Sequence, residues 1–398
     1  MKVPLSFQLA AVLAIVNGVA AERTIYIAES CTKYKDMVIG AVESARYNAR
    51  QAWNALIPCD PPNQTLQSWA ERLLDADDAK HRADAIERYK AITKDIKFNP
   101  DGELWDETKA GQWSDIIIYC TWDRFVEETV DGIVTWHDLP NQVLQTAKSR
   151  AEFFPSDASA FMLEAKMTHM FDTDGLNFVE LHHGVVGVSS LQLNPNTLDK
   201  FLENWNLDTD RSSSRWFKVG DDQNQIEYAK AAAEAYKLKR KKPWIDRLSR
   251  SLDSILLHEI SHAIAAGSSS DLELTGDVDG ESTYGWINAL RWKTSKNADN
   301  IEAFAAVVKL FNLGFTIDDD GTYHGHDLDN LPVEHGTPDC SSSESDRMST
   351  TDSFMYRDFD EDGDGLLDAY SGEENGKIKR SIFRIRGRRS SIFLGPVT

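Results

Sequence analysis

The pentapeptide His258-Glu259-Ile260-Ser261-His262 is the feature that most constrains how this chain can fold. On a helix, two histidines four residues apart leave the same face, so both imidazoles can bind one zinc ion. The flanking residues have helical apolar spacing, with Ser251 able to cap the start and Gly267 favouring a stop. We therefore expect a helix over about residues 248–266 that presents both histidines to a metal.

Glu259 lies one residue further round that helix, where its carboxylate can act on a water molecule instead of binding the metal. Such a glutamate serves as general base for the attacking water and then as general acid for the leaving amine. A catalytic zinc site also needs a third protein ligand and an open fourth position. Ala265 and Ser268 stand where the pattern HExxHxxGxxH requires glycine and histidine, so the third ligand lies further downstream.

Three segments follow one another between residues 250 and 312. They are the HExxH motif, Tyr284-Gly285-Trp286 shortly after an acidic residue, and Asn297-Ala298-Asp299-Asn300 leading into Glu302-Ala303-Phe304-Ala305. In this order they resemble the secreted fungal aspzincin metalloproteases, which include deuterolysins and lysine-specific metalloendopeptidases. The resemblance implies an α+β, zincin-like domain, mostly helical with a small mixed sheet. It also implies Zn2+ bound by two histidines and one aspartate, a catalytic glutamate, and a tyrosine near the site.

The third zinc ligand stays open between three acidic residues. The deuterolysin pattern GTxDxxYG places an aspartate three residues before the tyrosine, but Glu281 occupies that position here. Asp277 keeps the threonine and glycine of the pattern yet lies four residues further from Tyr284. We favour Asp277, with Glu281 and Asp279 as alternatives. Tyr284 either donates a hydrogen bond to the oxyanion of the tetrahedral intermediate or packs as a core aromatic beside Trp286.

The N-terminus predicts an exported protein. Residues 1–21 combine one basic residue, a short apolar run and small residues at the expected cleavage position, which is the pattern of a signal peptide. We therefore expect the mature chain to be secreted, where its four cysteines can form disulfides. Of the three pairings that four cysteines allow, we favour Cys31 with Cys59, because the two bracket one predicted helix.

The charge balance bears on the partners of the chain. It carries 43 Lys and Arg against 64 Asp and Glu, a formal net charge of −21. A surface of that sign repels phosphate backbones and anionic lipids, which argues against nucleic-acid binding. No apolar run beyond the signal peptide is long enough to span a membrane, so stable membrane insertion is not expected. We expect a monomer that acts on protein or peptide substrates.

The apolar pattern predicts one folded domain over residues 22–315, which the resemblance implies is the zincin-like catalytic domain. Short apolar runs at 24–28, 116–119 and 185–193 predict strands, with helices in several of the segments between them. The last helix has Asp299 as its expected N-cap. In a domain of the implied zincin type, the strand at 185–193 would form the sheet edge to which an extended peptide adds.

Residues 316–376 are an acidic tail that we expect to lack a packed core, and a basic tail follows at 377–398. Within the acidic tail, aspartates occupy positions 1, 3, 5 and 9 of a candidate Ca2+ loop, with glycine at position 6. These aspartates are Asp360, Asp362, Asp364 and Asp368. Position 12 is a serine, so an acidic stretch without bound calcium is the alternative.

Taken together, the sequence predicts a secreted zinc metalloendopeptidase that hydrolyses peptide bonds through a zinc-activated water, with Glu259 as general base. The principal alternative is a secreted zinc- or calcium-binding surface or adhesion protein that retains the metal site without catalysis. Glu281, which stands where the resemblance implies an aspartate, is the feature that favours this alternative.

Overall fold

The computed structural model describes the chain from Arg23 to Gly325, with gaps. The described residues are 23–57, 63–109, 115–123, 125–130, 133–138, 143–146, 160–164, 189–207, 209, 212–237, 243–269, 272 and 285–325. All of them fall within one compact unit, residues 1–342. The signal peptide, Asp277, Asp279, Glu281, Tyr284, the candidate calcium loop and the basic tail lie outside the described residues. What the sequence predicts for them stays a prediction.

Helices dominate the described residues. They are α1 (Lys35–Leu56), α2 (Gln64–Leu74), α3 (Ala79–Lys90), α4 (Pro195–Trp205), α5 (Ser213–Phe217), α6 (Asp222–Lys237), α7 (Ile245–Leu248), α8 (Leu252–His262), α9 (Trp286–Trp292) and α10 (Ala298–Asn312). Asn63, Asp78 and Asn194 cap α2, α3 and α4, and each accepts a hydrogen bond from a first-turn N–H. None of the described helices has the length and apolar content to cross a bilayer.

The described strands form three sheets. They are β1 (Arg23–Ile27), β2 (Ile96–Phe98), β3 (Ile116–Tyr119), β4 (Phe125–Val130), β5 (Ile133–Asp138), β6 (Val143–Thr146), β7 (Ala160–Glu164), β8 (Ser189–Leu193), β9 (Phe315–Ile317) and β10 (Tyr323–Gly325). The largest sheet has the order β2-β1-β3-β8-β7, and only β7 runs antiparallel to its neighbour. β4-β5-β6 and β9-β10 are antiparallel. This mixture of helices and small sheets is compatible with the predicted α+β class.

The predicted edge position of the strand at 185–193 is wrong. The described part of that segment, β8, lies between β3 and β7, and all five of its residues are buried. β3 is wholly buried too, which is usual for central strands of a sheet covered on both faces. Among the described strands, β7 is the edge on this side. An apolar run marks a buried strand, but it does not show whether another strand lies outside it.

α8, which carries the two motif histidines, contacts α1, α10 and the edge strand β7. In its first turn, Asp253 is fully buried and accepts a hydrogen bond from Ser44 Oγ of α1 over 2.7 Å. Asp253 also pairs with Lys309 of α10 at 3.3 Å, and the Lys309 ammonium lies 3.5 Å from the ring centroid of Trp216. Burial lowers the pKa of Lys309, and the Asp253 carboxylate opposes that shift. This buried ion pair fixes the start of α8 against two neighbouring helices.

α8 is shorter than the helix predicted over about residues 248–266, although Ser251 precedes it and Gly267 follows it as expected. Ser251 is its N-cap residue but makes no capping bond; its hydroxyl lies 2.6 Å from the Leu248 carbonyl oxygen and 2.5 Å from Asp253 Oδ1, and it has one proton for these two acceptors. The α-helix stops at His262, and a 3-10 turn leads from there to Gly267. Gly267 has φ +95°, the left-handed conformation in which glycine commonly ends helices.

Cys31 forms a disulfide with Cys120, so the predicted pairing of Cys31 with Cys59 is wrong. Cys31 lies in the turn after β1, and Cys120 directly follows β3. Because β1 and β3 are parallel neighbours, their carboxyl ends meet at one edge of the sheet. The 22-residue helix α1, which the predicted pair brackets, is about 33 Å long. Its two ends therefore lie far beyond the reach of a disulfide.

The β9-β10 hairpin extends the folded domain beyond Phe315. Tyr323 is buried, and its hydroxyl donates to the Ala229 carbonyl oxygen over 2.8 Å. The indole N–H of Trp286 donates to the Asp319 carbonyl oxygen over 3.0 Å. Residues 316–325, which the sequence assigns to the acidic tail, thus pack on α6 and α9.

Candidate metal site

α8 brings both motif histidines to one face. The ring centroids of His258 and His262 are 4.9 Å apart, and their Nε2 atoms are 3.2 Å apart. When two nitrogens bind the same zinc ion, each at about 2.0–2.1 Å, and the N–Zn–N angle is tetrahedral, the two nitrogens lie roughly 3.3 Å apart. The separation of the two Nε2 atoms therefore fits a shared tetrahedral ion.

The other nitrogen of each ring has a hydrogen-bond acceptor beside it. His258 Nδ1 lies 3.2 Å from Asp299 Oδ1, and His262 Nδ1 lies 2.9 Å from the Ser269 carbonyl oxygen. A carboxylate and a carbonyl only accept hydrogen bonds, so these contacts assign the proton of each ring to Nδ1. A neutral ring with its proton at Nδ1 has a lone pair at Nε2, and two such nitrogens 3.2 Å apart are held together by a shared zinc ion or by a proton between them. This tautomer and this spacing suit metal binding.

Asp299 has a role that the sequence analysis did not assign to it. The N-cap of α10 is Asn297, in an extended conformation (φ −95°, ψ 127°), and Asp299 lies in the first helical turn. Its side chain is 12% exposed and pairs with His258 on the neighbouring helix. A carboxylate in this position fixes the orientation of a ligand histidine and increases the basicity of its ring. The predicted capping role of Asp299 is therefore wrong.

Glu302 adds a buried acid one turn further along α10. It is 6% exposed, and Ser249 Oγ donates a hydrogen bond to its Oε2 over 3.0 Å. Burial raises the pKa of Glu302 to about 7, and the nearby charge of Asp299 contributes to the rise. Glu302 consequently keeps its proton in mildly acidic solution, close to the His258–Asp299 pair.

Glu259 is 8% exposed, so its carboxyl group is largely shielded from bulk water. Within the described residues, no three His, Cys, Asp or Glu side chains form a group that can hold a metal ion. The three candidates for a third ligand, Asp277, Asp279 and Glu281, lie outside those residues.

The described residues before and after 273–284 form hydrogen bonds with neighbouring elements. On one side, the Leu272 N–H donates to Asn297 Oδ1 over 3.3 Å. On the other side, the Trp286 N–H donates to Asp246 Oδ1 over 2.8 Å. Gly285 has φ +105°, and a Cβ there would lie 3.0 Å from the Asp246 carboxylate. The glycine of the Tyr-Gly-Trp motif is thus required by the backbone conformation at this position.

Comparison with protein-family models, curated proteins and solved structures finds no match. The resemblance to aspzincin metalloproteases therefore depends on the motif residues alone. The structure brings His258 and His262 together, and the three candidate third ligands and Tyr284 lie outside the described residues.

Sequence reasoning missed the two groups that orient the histidines. For Asp299, a signal was present in the Asn297–Asn300 segment that contributes to the resemblance, but a helix-capping interpretation took precedence. For Ser269, the orienting group is a backbone carbonyl, and side-chain patterns do not identify backbone groups.

Proposed function

We propose that this chain is a secreted zinc metalloendopeptidase of the aspzincin type with a zincin-like fold. The proposal depends above all on the two Nε2 atoms that lie 3.2 Å apart while both Nδ1 atoms are held by acceptors. Glu259 follows the first histidine directly and supplies the general base that peptide hydrolysis requires. The disulfide at Cys31 supports export, because disulfides persist in oxidising compartments.

In the proposed reaction, Glu259 performs the proton transfers. When bound, zinc supplies a Lewis acid that polarises the scissile carbonyl and lowers the pKa of water at the site. Glu259 accepts a proton from the attacking water and donates it to the leaving amine, so no covalent enzyme intermediate forms. Asp299 and the Ser269 carbonyl keep both histidines in the tautomer that has a lone pair at Nε2.

Two further roles belong to residues outside the described ranges. We propose Asp277 as the third zinc ligand, with Glu281 and Asp279 as alternatives. Tyr284 then donates a hydrogen bond to the oxyanion that develops on the scissile carbonyl. Because a single position completes the site, only one of the variants Asp277→Ala, Asp279→Ala and Glu281→Ala should lose zinc sharply.

The position of β7 supports an extended peptide as substrate. β7 is an edge strand among the described strands, and it contacts α8. An edge strand offers backbone N–H and C=O groups with which an extended segment can pair as an additional strand. A peptide bound there would pass close to the helix that carries the two histidines, which suits an endopeptidase.

Hydrolysis and zinc content measured together test this function. Glu259→Ala should retain zinc and lose hydrolysis of denatured protein and of a peptide library. Glu87→Ala, at a glutamate that is 67% exposed on α3, is the control and should retain both. If the wild type binds zinc yet cleaves none of these substrates, the non-catalytic metal-binding alternative replaces the protease.

A further inference from the structure

The chain reverses direction immediately after the histidine helix. The Ser268 N–H donates to the Ala263 carbonyl oxygen over 3.1 Å, and the Ser269 N–H donates to the Ser261 carbonyl oxygen over 3.0 Å. The reversal uses two left-handed residues, Gly267 with φ +95° and Ser268 with φ +52°. It places the Ser269 carbonyl oxygen 2.9 Å from His262 Nδ1. The orientation of His262 therefore depends on the conformation of this turn.

On its inner side, the turn is tied to α8 by two serine hydroxyls. Ser261 Oγ donates to the His258 carbonyl oxygen over 2.7 Å, which uses its only proton. The Ser261 and Ser269 hydroxyl oxygens are 2.6 Å apart, so the Ser269 hydroxyl is the donor between them. Both serines are buried. Ser269 is thus attached to the helix through its side chain as well as its backbone.

On its outer side, two arginines hold the turn. Arg88 of α3 donates from Nη1 to the Gly267 carbonyl oxygen over 2.7 Å. Arg23 of β1 donates from Nη1 to the Ala265 carbonyl oxygen over 2.9 Å. Cations and donors at a helix C-terminus stabilise its unpaired carbonyl groups.

Of the two arginines, Arg88 acts at the strained part of the turn. Its carbonyl partner is Gly267, directly before Ser268, whose positive φ is unfavourable for a residue with a side chain. Arg23 contacts the 3-10 turn before the left-handed residues. Losing the Arg88 bond therefore removes the contact that holds the left-handed residues from outside, directly before Ser269.

We propose that Arg88 and the Ser261–Ser269 hydroxyl pair form a histidine latch, which positions His262 for metal binding by fixing the Ser269 carbonyl. Arg88 is a positioning residue in this arrangement, because it acts on the metal site only through the turn. The latch rests on the proposed zinc site. It predicts that the affinity for zinc depends on an arginine of another helix that touches neither histidine.

Zinc affinity measured by chelator competition tests the latch. Arg88→Ala should raise the Kd for zinc severalfold, which is less than the about 10- to 100-fold cost of removing a group that contacts a metal ligand directly. Arg88→Lys, which keeps one donor for the Gly267 carbonyl, should recover part of this loss. Arg82→Ala is the matched control, because Arg82 lies on the same helix and donates to the Ala76 carbonyl oxygen over 2.8 Å. It should leave the Kd unchanged.

Two additional measurements separate positioning from general stability. The absorption spectrum of the cobalt-substituted protein should change in Arg88→Ala and not in Arg82→Ala, since the spectrum reports ligand geometry. Ser269→Ala keeps the carbonyl that contacts His262 but removes the hydroxyl that ties this residue to Ser261. Because the carbonyl is then less well fixed, the variant should also bind zinc more weakly. The melting temperature of each metal-free variant shows whether that variant is folded. If Arg88→Ala does not fold, the zinc affinity of Ser269→Ala tests the latch instead.

The outcomes distinguish the latch from the function on which it depends. A wild-type protein that binds no zinc overturns both. If the wild type binds zinc, and Arg88→Ala and Ser269→Ala bind it as tightly as Arg82→Ala does, the latch is overturned. That result leaves the proposed protease function intact.

Discussion

Replacing Glu302 with glutamine should change how the stability of the metal-free protein depends on pH. Glu302 is 6% exposed, and burial raises its pKa from the ordinary 4.5 to about 7. Its Oε2 accepts a hydrogen bond from Ser249. Glutamine has nearly the same shape and retains an oxygen acceptor for this bond. The substitution therefore removes the titration and little else.

The direction in which the stability of the wild type changes with pH follows from the raised pKa of Glu302. Below pH 4.5 the folded and unfolded states both carry the proton, so the stability contributed by the buried neutral acid is fully present. Between pH 4.5 and about 7 the unfolded state releases its proton while the folded state keeps it, so the free energy of unfolding falls as pH rises. Above the folded pKa the loss is complete at about 3 kcal/mol, because one pKa unit corresponds to about 1.36 kcal/mol.

Urea unfolding from about pH 4 to about pH 8, with a chelator present, measures this loss. The stability of Glu302→Gln relative to wild type should rise by about 3 kcal/mol across that range. Glu87→Gln, at an exposed position, is the control and should show no comparable rise. A stability difference between wild type and Glu302→Gln that is the same at every pH would refute the raised pKa.

Three further predictions follow from buried contacts. Replacing Cys31 and Cys120 by serine removes a disulfide that joins residues 89 positions apart. The free energy of unfolding measured in urea titrations should fall by about 4–5 kcal/mol, and equal stabilities of variant and wild type would contradict this. Lys309→Met leaves Asp253 buried without its cation and should cost about 3–5 kcal/mol, most of which Asp253→Asn in the same chain should restore. Asp299→Asn should raise the zinc Kd about tenfold in chelator competition, and an unchanged Kd would show that its charge does not support the site.

Local patterns were sufficient to predict the helix of the motif and several neighbouring elements. Apolar spacing, Ser251 and Gly267 gave the location of α8, and the run IIIY predicted β3. The four-residue spacing also predicted that His258 and His262 share one face, and the Nε2 separation of 3.2 Å confirms it. These features depend on residues close together in sequence, so a single sequence is enough to predict them.

Features that depend on distant parts of the chain were not predictable in this way. The Cys31–Cys120 disulfide follows from β1 and β3 being parallel neighbours, and no local pattern reveals that pairing. Aspartate is a residue type that often caps helices, but the packing of α10 against α8 pairs Asp299 with His258 instead. The latch residue Arg88 is 179 positions from its partner Gly267 and forms part of no recognisable motif.

The central claim is that His258 and His262 together bind one zinc ion, and zinc content per chain tests it most directly. Wild type, His262→Ala and the control His81→Ala would be incubated with zinc, freed of unbound metal by gel filtration and analysed by mass spectrometry. His81 is 40% exposed and pairs with Asp75 on the surface. We predict one zinc at this site in wild type and control, and its loss in His262→Ala. A wild type that takes up no zinc, or a His262→Ala variant that keeps as much as wild type, would contradict the account.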